Sequence, residues 1–280
     1  MDVVHDYVNT QIELSLLGNI LNDVGLPYDN VFRAFAIFWV LLALGGVVLY
    51  FLTAGISYYV IFILFPDKLL EKDERDKPQE IAKEIKTSLE GIPTVTTLTT
   101  VMYMLHWYGY GKIYTDFNDY GAIYLIGSIV AFLMFTDCLI FWIHYALHWK
   151  PLYQRFHSTH HKFKYPTPFA AIAFDPFDGF AQSFPYHLFT FVFPFWNWAY
   201  LCMFVFVQVW TISIHDRVSF ASLDGIINGS AHHRAHHFFH RYNYGQYTTI
   251  WDRLMKTHRV WNGGKITPAT TVFDAKKDTL

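Results

Sequence analysis

Residues 31-VFRAFAIFWVLLALGGVVLYFLTAGISYYVIFIL-64 hold one charged side chain, Arg33, near their start. A helix of about 20 apolar residues is long enough to cross the hydrocarbon core of a bilayer. The helices of a soluble domain normally alternate an apolar stripe with a polar face, and this stretch has no polar face. It predicts one long, tilted membrane helix, so the rest of the chain is read against a bilayer.

Three more apolar stretches follow. Residues 92–111 are a weaker span rich in Thr and Tyr, and residues 120–149 are apolar almost throughout. Residues 185–215 are apolar again but broken at Pro194 and 196-WNW-198, which predicts two spans or a re-entrant hairpin. Between the first two spans, residues 66–86 form a charged, helix-prone loop with six Lys/Arg, whereas the 109–119 connection has only Lys112. Positive loops stay in the cytoplasm. Counting crossings from there puts residues 1–30 in the lumen, and residues 149–184 and 216–280 in a cytosolic cap. The expected fold is an all-α integral membrane bundle of about four or five spans or hairpin segments, with a cytosolic helical cap.

Charged residues make up 16% of the chain, against about 25% in soluble domains. With a formal net charge of −2, nothing marks nucleic acid as a partner. Cys138 and Cys202 lie inside apolar runs, which argues against a disulfide or a cysteine zinc site. The N-terminal stretch is acidic and lacks a basic n-region, so it does not read as a cleaved signal peptide.

Nine of the 15 histidines fall in three clusters, 144-HYALH-148, 157-HSTHH-161 and 232-HHRAHH-237, all on the expected cytosolic side. His144 and His148 are four apart, and residues i and i+4 share a helix face. His157, His160 and His161 are spaced i, i+3, i+4, and so are His233, His236 and His237; each triplet is expected to converge. His215 ends an apolar span at the depth of these clusters. One such pair is weak evidence, but three on one side of one membrane point to metal ligation. Eight or nine imidazoles exceed the four of a structural zinc and suit two metals.

Imidazole suits zinc, copper, iron or nickel. The Glu-x-x-His pattern of soluble di-iron bundles is absent, as are G-x-S-x-G and H-E-x-x-H. A redox metal therefore fits better than hydrolytic zinc, with bis-histidine haem as the runner-up. Asp137 lies seven residues before His144 and eleven before His148, on the same helix face. It is expected either to orient a ligand imidazole or to line a wet cavity. His5, His106 and His258 are isolated, and His187 and His240 lie near the clusters without matching spacing. The 242-YNYGQYTTIWDRLM-255 stretch reads as an interfacial belt or a channel wall.

The boxes HxxxH, HxxHH and HxxHH, in this order, resemble the membrane fatty-acid hydroxylase / sterol desaturase superfamily. The stretches 166-PTPFAAIAFDPFDGFAQSFPYH-187, 210-WTISIHD-216, 228-NGSAHHRAHH-237 and 242-YNYGQYTTIWDR-253 are similar to its C-5 sterol desaturase branch. The resemblance spans about residues 60–255 and implies one membrane desaturase domain over 31–280. It implies a non-haem di-iron centre in the endoplasmic reticulum membrane that uses O2 to place a C-5(6) double bond in a Δ7-sterol from the bilayer. Electrons would come from NAD(P)H through cytochrome b5 and its reductase. The implied ligands are His144, His148, His157, His160, His161, His215, His233, His236 and His237, with His232 as a further candidate. Ile172 and Asp175 stand where the branch commonly carries histidines, and the first box reads HYALH instead of HRxLH. The alternatives are a sterol C-4 methyl oxidase or fatty-acid hydroxylase, or a non-enzymatic metal- or sterol-binding membrane protein. The tail, 276-KKDTL-280, narrowly misses the spacing of a dilysine retrieval signal.

Overall fold

The computed structural model describes residues 8–12, 16–75, 78–218, 225–262 and 265–268. The KKDTL tail and His5 lie outside the described residues. The chain is mostly helical. Helix α1 is Val31–Tyr58, α2 Ile81–Trp107, α3 Gly121–Leu147, α4 Pro176–Val192, α5 Asn197–Ser213, α6 Ser230–Phe239 and α7 Ile250–Leu254. Two short strand pairs complete it. In one, β1 (Ile113–Tyr114) runs parallel to β2 (Phe195–Trp196); in the other, β3 (Arg259–Asn262) is antiparallel to β4 (Lys265–Pro268).

Asn30 caps α1 by accepting from the Phe32 and Arg33 N–H groups, which would otherwise lack partners. The helix runs on through a π-helical turn, Tyr59–Leu64, and stops where Pro66 follows. Val31–Leu64 and Gly121–Leu147 are long and apolar enough to cross a membrane. Both helices turn large apolar side chains outward, such as Val48 (64% exposed), Ile123 (91%) and Met134 (68%). Exposure on this scale suits lipid and not water.

Helix α2 begins at Ile81, well before the apolar stretch expected from residue 92. Residues 81–90 are good helix formers, so their charge does not end the helix. The buried Glu84 of this turn accepts from the Thr167 N–H (3.1 Å) and the Thr167 hydroxyl. The apolar stretch 185–215 resolves into a hairpin: α4 starts earlier, at Pro176, and the break falls at Phe193–Trp196. At its tip, Phe195 and Trp196 pair with Ile113 and Tyr114, and Lys112 N–H donates to the Thr190 carbonyl (2.7 Å). This ties the α4–α5 tip to the α2–α3 connection, opposite the histidines.

An aromatic core joins α3, α4 and α5 through Phe132, Tyr186, Phe189, Phe195 and Tyr200, and Tyr247 enters it from the C-terminal segment. The PTPFA turn is anchored on two helices, because Tyr50 of α1 and Ser88 of α2 both donate to the Phe169 carbonyl (2.8 and 3.2 Å).

Candidate metal centre

Three segments meet over the end of the bundle. The last turn of α3 carries His144, and His148 caps that helix. A π-helical turn (Tyr153–His157) and a 3-10 turn (His160–Lys162) carry the second cluster, and α6 carries the third. His215 follows α5 directly. The nine implied ligands gather into two groups. One is His144, His148, His157, His161 and His236, and the other is His160, His215, His233 and His237. Within each group the facing ring nitrogens all lie within 4.8 Å of one another.

The triplets do not converge on a single point as expected. His157 and His161 join one group and His160 the other, while His233 and His237 join one group and His236 the other. Helical geometry explains the split at α6. Residues i and i+4 lie about 40° apart around the axis, but i+3 and i+4 lie about 100° apart. Each triplet therefore straddles the two groups and links them.

In the first group Nε2 faces Nε2 at 3.1 Å for His144–His157, His157–His161, His161–His236 and His148–His236. In the second, His233 faces His215 and His237 at 3.0 Å, and His215 faces His160 at 3.4 Å. The other ring nitrogen fixes the tautomer. His144 Nδ1 donates to the Tyr244 carbonyl (3.0 Å), His236 Nδ1 to the Tyr242 carbonyl (2.7 Å) and His215 Nδ1 to the Thr211 carbonyl (2.6 Å). A carbonyl only accepts, so these Nδ1 atoms carry the proton and the Nε2 atoms are bare lone pairs. Bare lone pairs 3 Å apart repel, and a cation between them removes that repulsion. The donor sets therefore fit two imidazole-bound metal ions.

Burial pushes the pKa values of His148, His160, His161, His233, His236 and His237 down, with neighbouring imidazoles adding to the effect. Burial lowers His215 to about 4. Neutral imidazole is the form that ligates metal.

One carboxylate acts here that sequence reasoning missed. His157 Nδ1 donates to Asp178 Oδ2 (2.7 Å), both residues are fully buried, and Gln182 donates to Asp178 Oδ1 (2.8 Å). Asp178 lies in the first turn of α4. Its place in the DGF of the 166–187 stretch was the available signal.

Among the described residues Asp137 bonds to no imidazole, so its bonds do not match the first of the two roles expected of it, orienting a ligand ring. It accepts from Tyr247 N–H (2.7 Å), Thr248 N–H (3.3 Å) and the Thr248 hydroxyl (2.6 Å). Asp252 accepts from Tyr244 and Gly245 N–H (2.9 and 2.8 Å). These two carboxylates hold the 244–248 loop, whose Tyr244 carbonyl in turn orients His144. Gly245 allows this close approach: a Cβ there would sit 2.5 Å from the Thr248 carbonyl.

Of the remaining histidines, His240 packs its ring against His161 of the first group, 4.5 Å between centroids, and the others among the described residues stand apart from both groups. His232 faces Asp252 (3.6 Å) and stacks on His258, and burial lowers it to about 3. His240 meets the Tyr153 hydroxyl (2.9 Å), His187 Nδ1 the Tyr200 hydroxyl (2.7 Å), and His106 Nε2 the Thr190 hydroxyl (2.8 Å).

A cavity opens onto the centre, bordered by His144, His157, His160, His215 and His233 and walled mainly by apolar residues of α1, α2, α4 and α5. Ile172 and Asp175 line it, so the two positions that depart from the related pattern both face the cavity. Gly245 and Gln246 line it too, which makes this part of the 242–255 stretch a channel wall.

The sequence profile of the fatty acid hydroxylase family matches residues 129–257. The chain is 43% identical to the lathosterol oxidase of Homo sapiens over 233 residues, covering 81% of this chain and 76% of the relative. It is 45% identical to the lathosterol oxidase of Mus musculus over the same shares. Its identity to a Delta(7)-sterol 5(6)-desaturase of Schizosaccharomyces pombe is 39%, covering 91% of this chain and 83% of the relative. No solved structure matches the chain.

Proposed function

This chain belongs to the C-5 sterol desaturase group of the fatty acid hydroxylase family, and from that premise we propose that it inserts the C-5(6) double bond into a Δ7-sterol at a di-iron centre. The observation that carries the reading is the pair of facing Nε2 groups opening onto an apolar-walled cavity. Two irons bound there would supply the redox chemistry that activates O2.

The chain's own residues do the rest. The Tyr244, Tyr242 and Thr211 carbonyls hold three rings in the tautomer that presents Nε2. Asp178 accepts the hydrogen bond from His157 Nδ1, which strengthens Nε2 as a donor to a metal. The apolar walls exclude water and hold the sterol nucleus against the centre. Electrons balance: O2 takes two from the C-5 and C-6 hydrogens and two from NAD(P)H, and leaves as two waters. Cytochrome b5 and its reductase are the proposed donors. The proposed location is the endoplasmic reticulum membrane, with the histidines facing the cytosol and the loop of six Lys/Arg on the same side.

The decisive test is expression in a cell lacking its own C-5 desaturase, followed by sterol profiling. Appearance of 5,7-diene sterols, with their near-ultraviolet absorption, supports the reading. An oxygenated sterol or fatty acid in their place assigns the chain to another chemistry of the family, and no NADH- and O2-dependent product makes it a binder.

A further inference from the structure

A second cavity adjoins the first. It lies between α1, the far end of α2, β1 and α5, and takes in Leu41, Gly45, Tyr103, Ile113, Leu201 and Val205. Leu42, Gly46, Leu49 and Phe204 line both cavities, so the second continues the first away from the histidines. Along α5 the combined lining of the two cavities runs from Thr211 to Asn197, about 21 Å of helix at ~1.5 Å per residue. That length accommodates a sterol nucleus with its side chain extended.

The geometry points to the second chamber as the subsite for the sterol side chain, with Gly46 at the neck between the chambers. The inference rests on the reading of the protein as a Δ7-sterol C-5 desaturase. In such a sterol the C-5–C-6 bond lies at the hydroxyl-bearing end of the nucleus, and the side chain leaves from the opposite end. Setting that bond beside His144, His157 and His160 sends the side chain toward the second chamber.

The polarity of the two chambers agrees with this direction. In the second, His106 is bonded to Thr190 and Tyr200 to His187 (2.8 and 2.7 Å), which leaves mainly aliphatic wall for a hydrocarbon tail. In the first, Gln208 Nε2 is buried without a hydrogen-bond partner among the described residues. A buried amide donor is costly unless something accepts from it, so the first chamber is the one that offers a polar group to its occupant. Gly46 fits a neck: it lines both cavities, and a Cβ built there meets nothing within 4 Å among the described residues. Glycine is a poor mid-helix residue, and here the missing side chain keeps the passage open.

The test uses the full chain in lipid nanodiscs with a Δ7-sterol carrying a photoreactive diazirine at the end of its side chain. The tail should label residues 41–49 of α1 and 201–205 of α5. Gly46→Phe should move the label out of these segments. It should also lower the ratio of kcat/KM for the full-length sterol to that for a side-chain-truncated Δ7-sterol by about tenfold or more, the scale of apolar-pocket discrimination. Leu44→Phe, on the outward face of the same helix (61% exposed), should leave that ratio unchanged. Labelling confined to outward residues such as Ile123 and Met134, or equal loss on both sterols in Gly46→Phe, overturns the subsite. Labelling as expected without any 5,7-diene product overturns the proposed reaction and leaves the subsite standing.

Discussion

The two histidine groups use the same ring but are held in different ways. In the five-histidine group the Nδ1 atoms of His144, His157 and His236 are bonded to Tyr244, Asp178 and Tyr242. In the four-histidine group His215 is anchored by the Thr211 carbonyl, but the buried Nδ1 atoms of His160 and His237 have no hydrogen-bond partner among the described residues. His160 is instead held by packing, with its ring stacked on Phe174 at 4.1 Å between centroids and 23° between planes. The buried Nδ1 of His161, in the five-histidine group, also lacks a partner among the described residues, so the contrast is one of degree: three directional bonds hold five rings on one side, and one holds four on the other. A group fixed by bonds should respond to the loss of a single acceptor, and one fixed by shape to the loss of a neighbouring ring.

The largest expected effect tests whether both groups are needed. His160→Ala, from the shape-held group, should abolish 5,7-diene formation while the protein stays in the membrane. His157→Ala should do the same from the bonded group. Turnover retained in His160→Ala, measured by sterol profiling, would sink the ligand assignment.

Next in size is Asp178→Asn, which keeps the shape but removes the charge that accepts the hydrogen bond from His157 Nδ1. Loss of such an outer partner costs about 10–100-fold in metal affinity or activity. Metal analysis should show about one equivalent weakened and the other retained. Equal loss of both metals would mean that the groups are not held independently.

Phe174→Ala probes the shape-held side. Aromatic contacts contribute about 0.5–1.5 kcal/mol, so turnover should fall by about two- to tenfold. The effect should appear as a loss of metal from the four-histidine group, with the five-histidine group intact. No change in metal content or rate would show that Phe174 does not hold the His160 ring.

The smallest effect should come from burial alone, once within the four-histidine group and once outside both groups. Burial holds His215, beside the centre, and His258, away from it, at about 4, below the ordinary 6.5. Below pH ~6.5 the unfolded chain takes up protons that the folded chain refuses, so stability present above that pH is lost as pH falls toward 4. Tryptophan fluorescence of the metal-free protein in detergent should therefore show a lower Tm at pH 5 than at pH 7. A flat Tm would mean that these imidazoles already charge in the folded state.

Much of the site was legible in the chain because its signals are local. Apolar length marked the helices at 31–64 and 120–149, histidine spacing marked eight residues and the end of an apolar span marked His215, and the fold gathers all nine in two adjoining groups. Where reading failed, the deciding contact was distant in sequence. Asp137 looked aimed at His144 from its own helix, yet its partners are Tyr247 and Thr248, more than a hundred residues away. Asp178 carried no signal beyond its place in the 166–187 stretch, yet it holds His157 across a loop.

The sequence by itself determined that a membrane-bound helical chain would present clustered imidazoles, because hydropathy and helical period depend only on neighbours along the chain. Only the tertiary structure decided how the boxes divide into five and four, which carboxylate supports them, and that the cavity continues past Gly46. Those outcomes depend on how α1, α3, α5 and α6 pack, and spacing within one helix does not specify the angle at which it meets another.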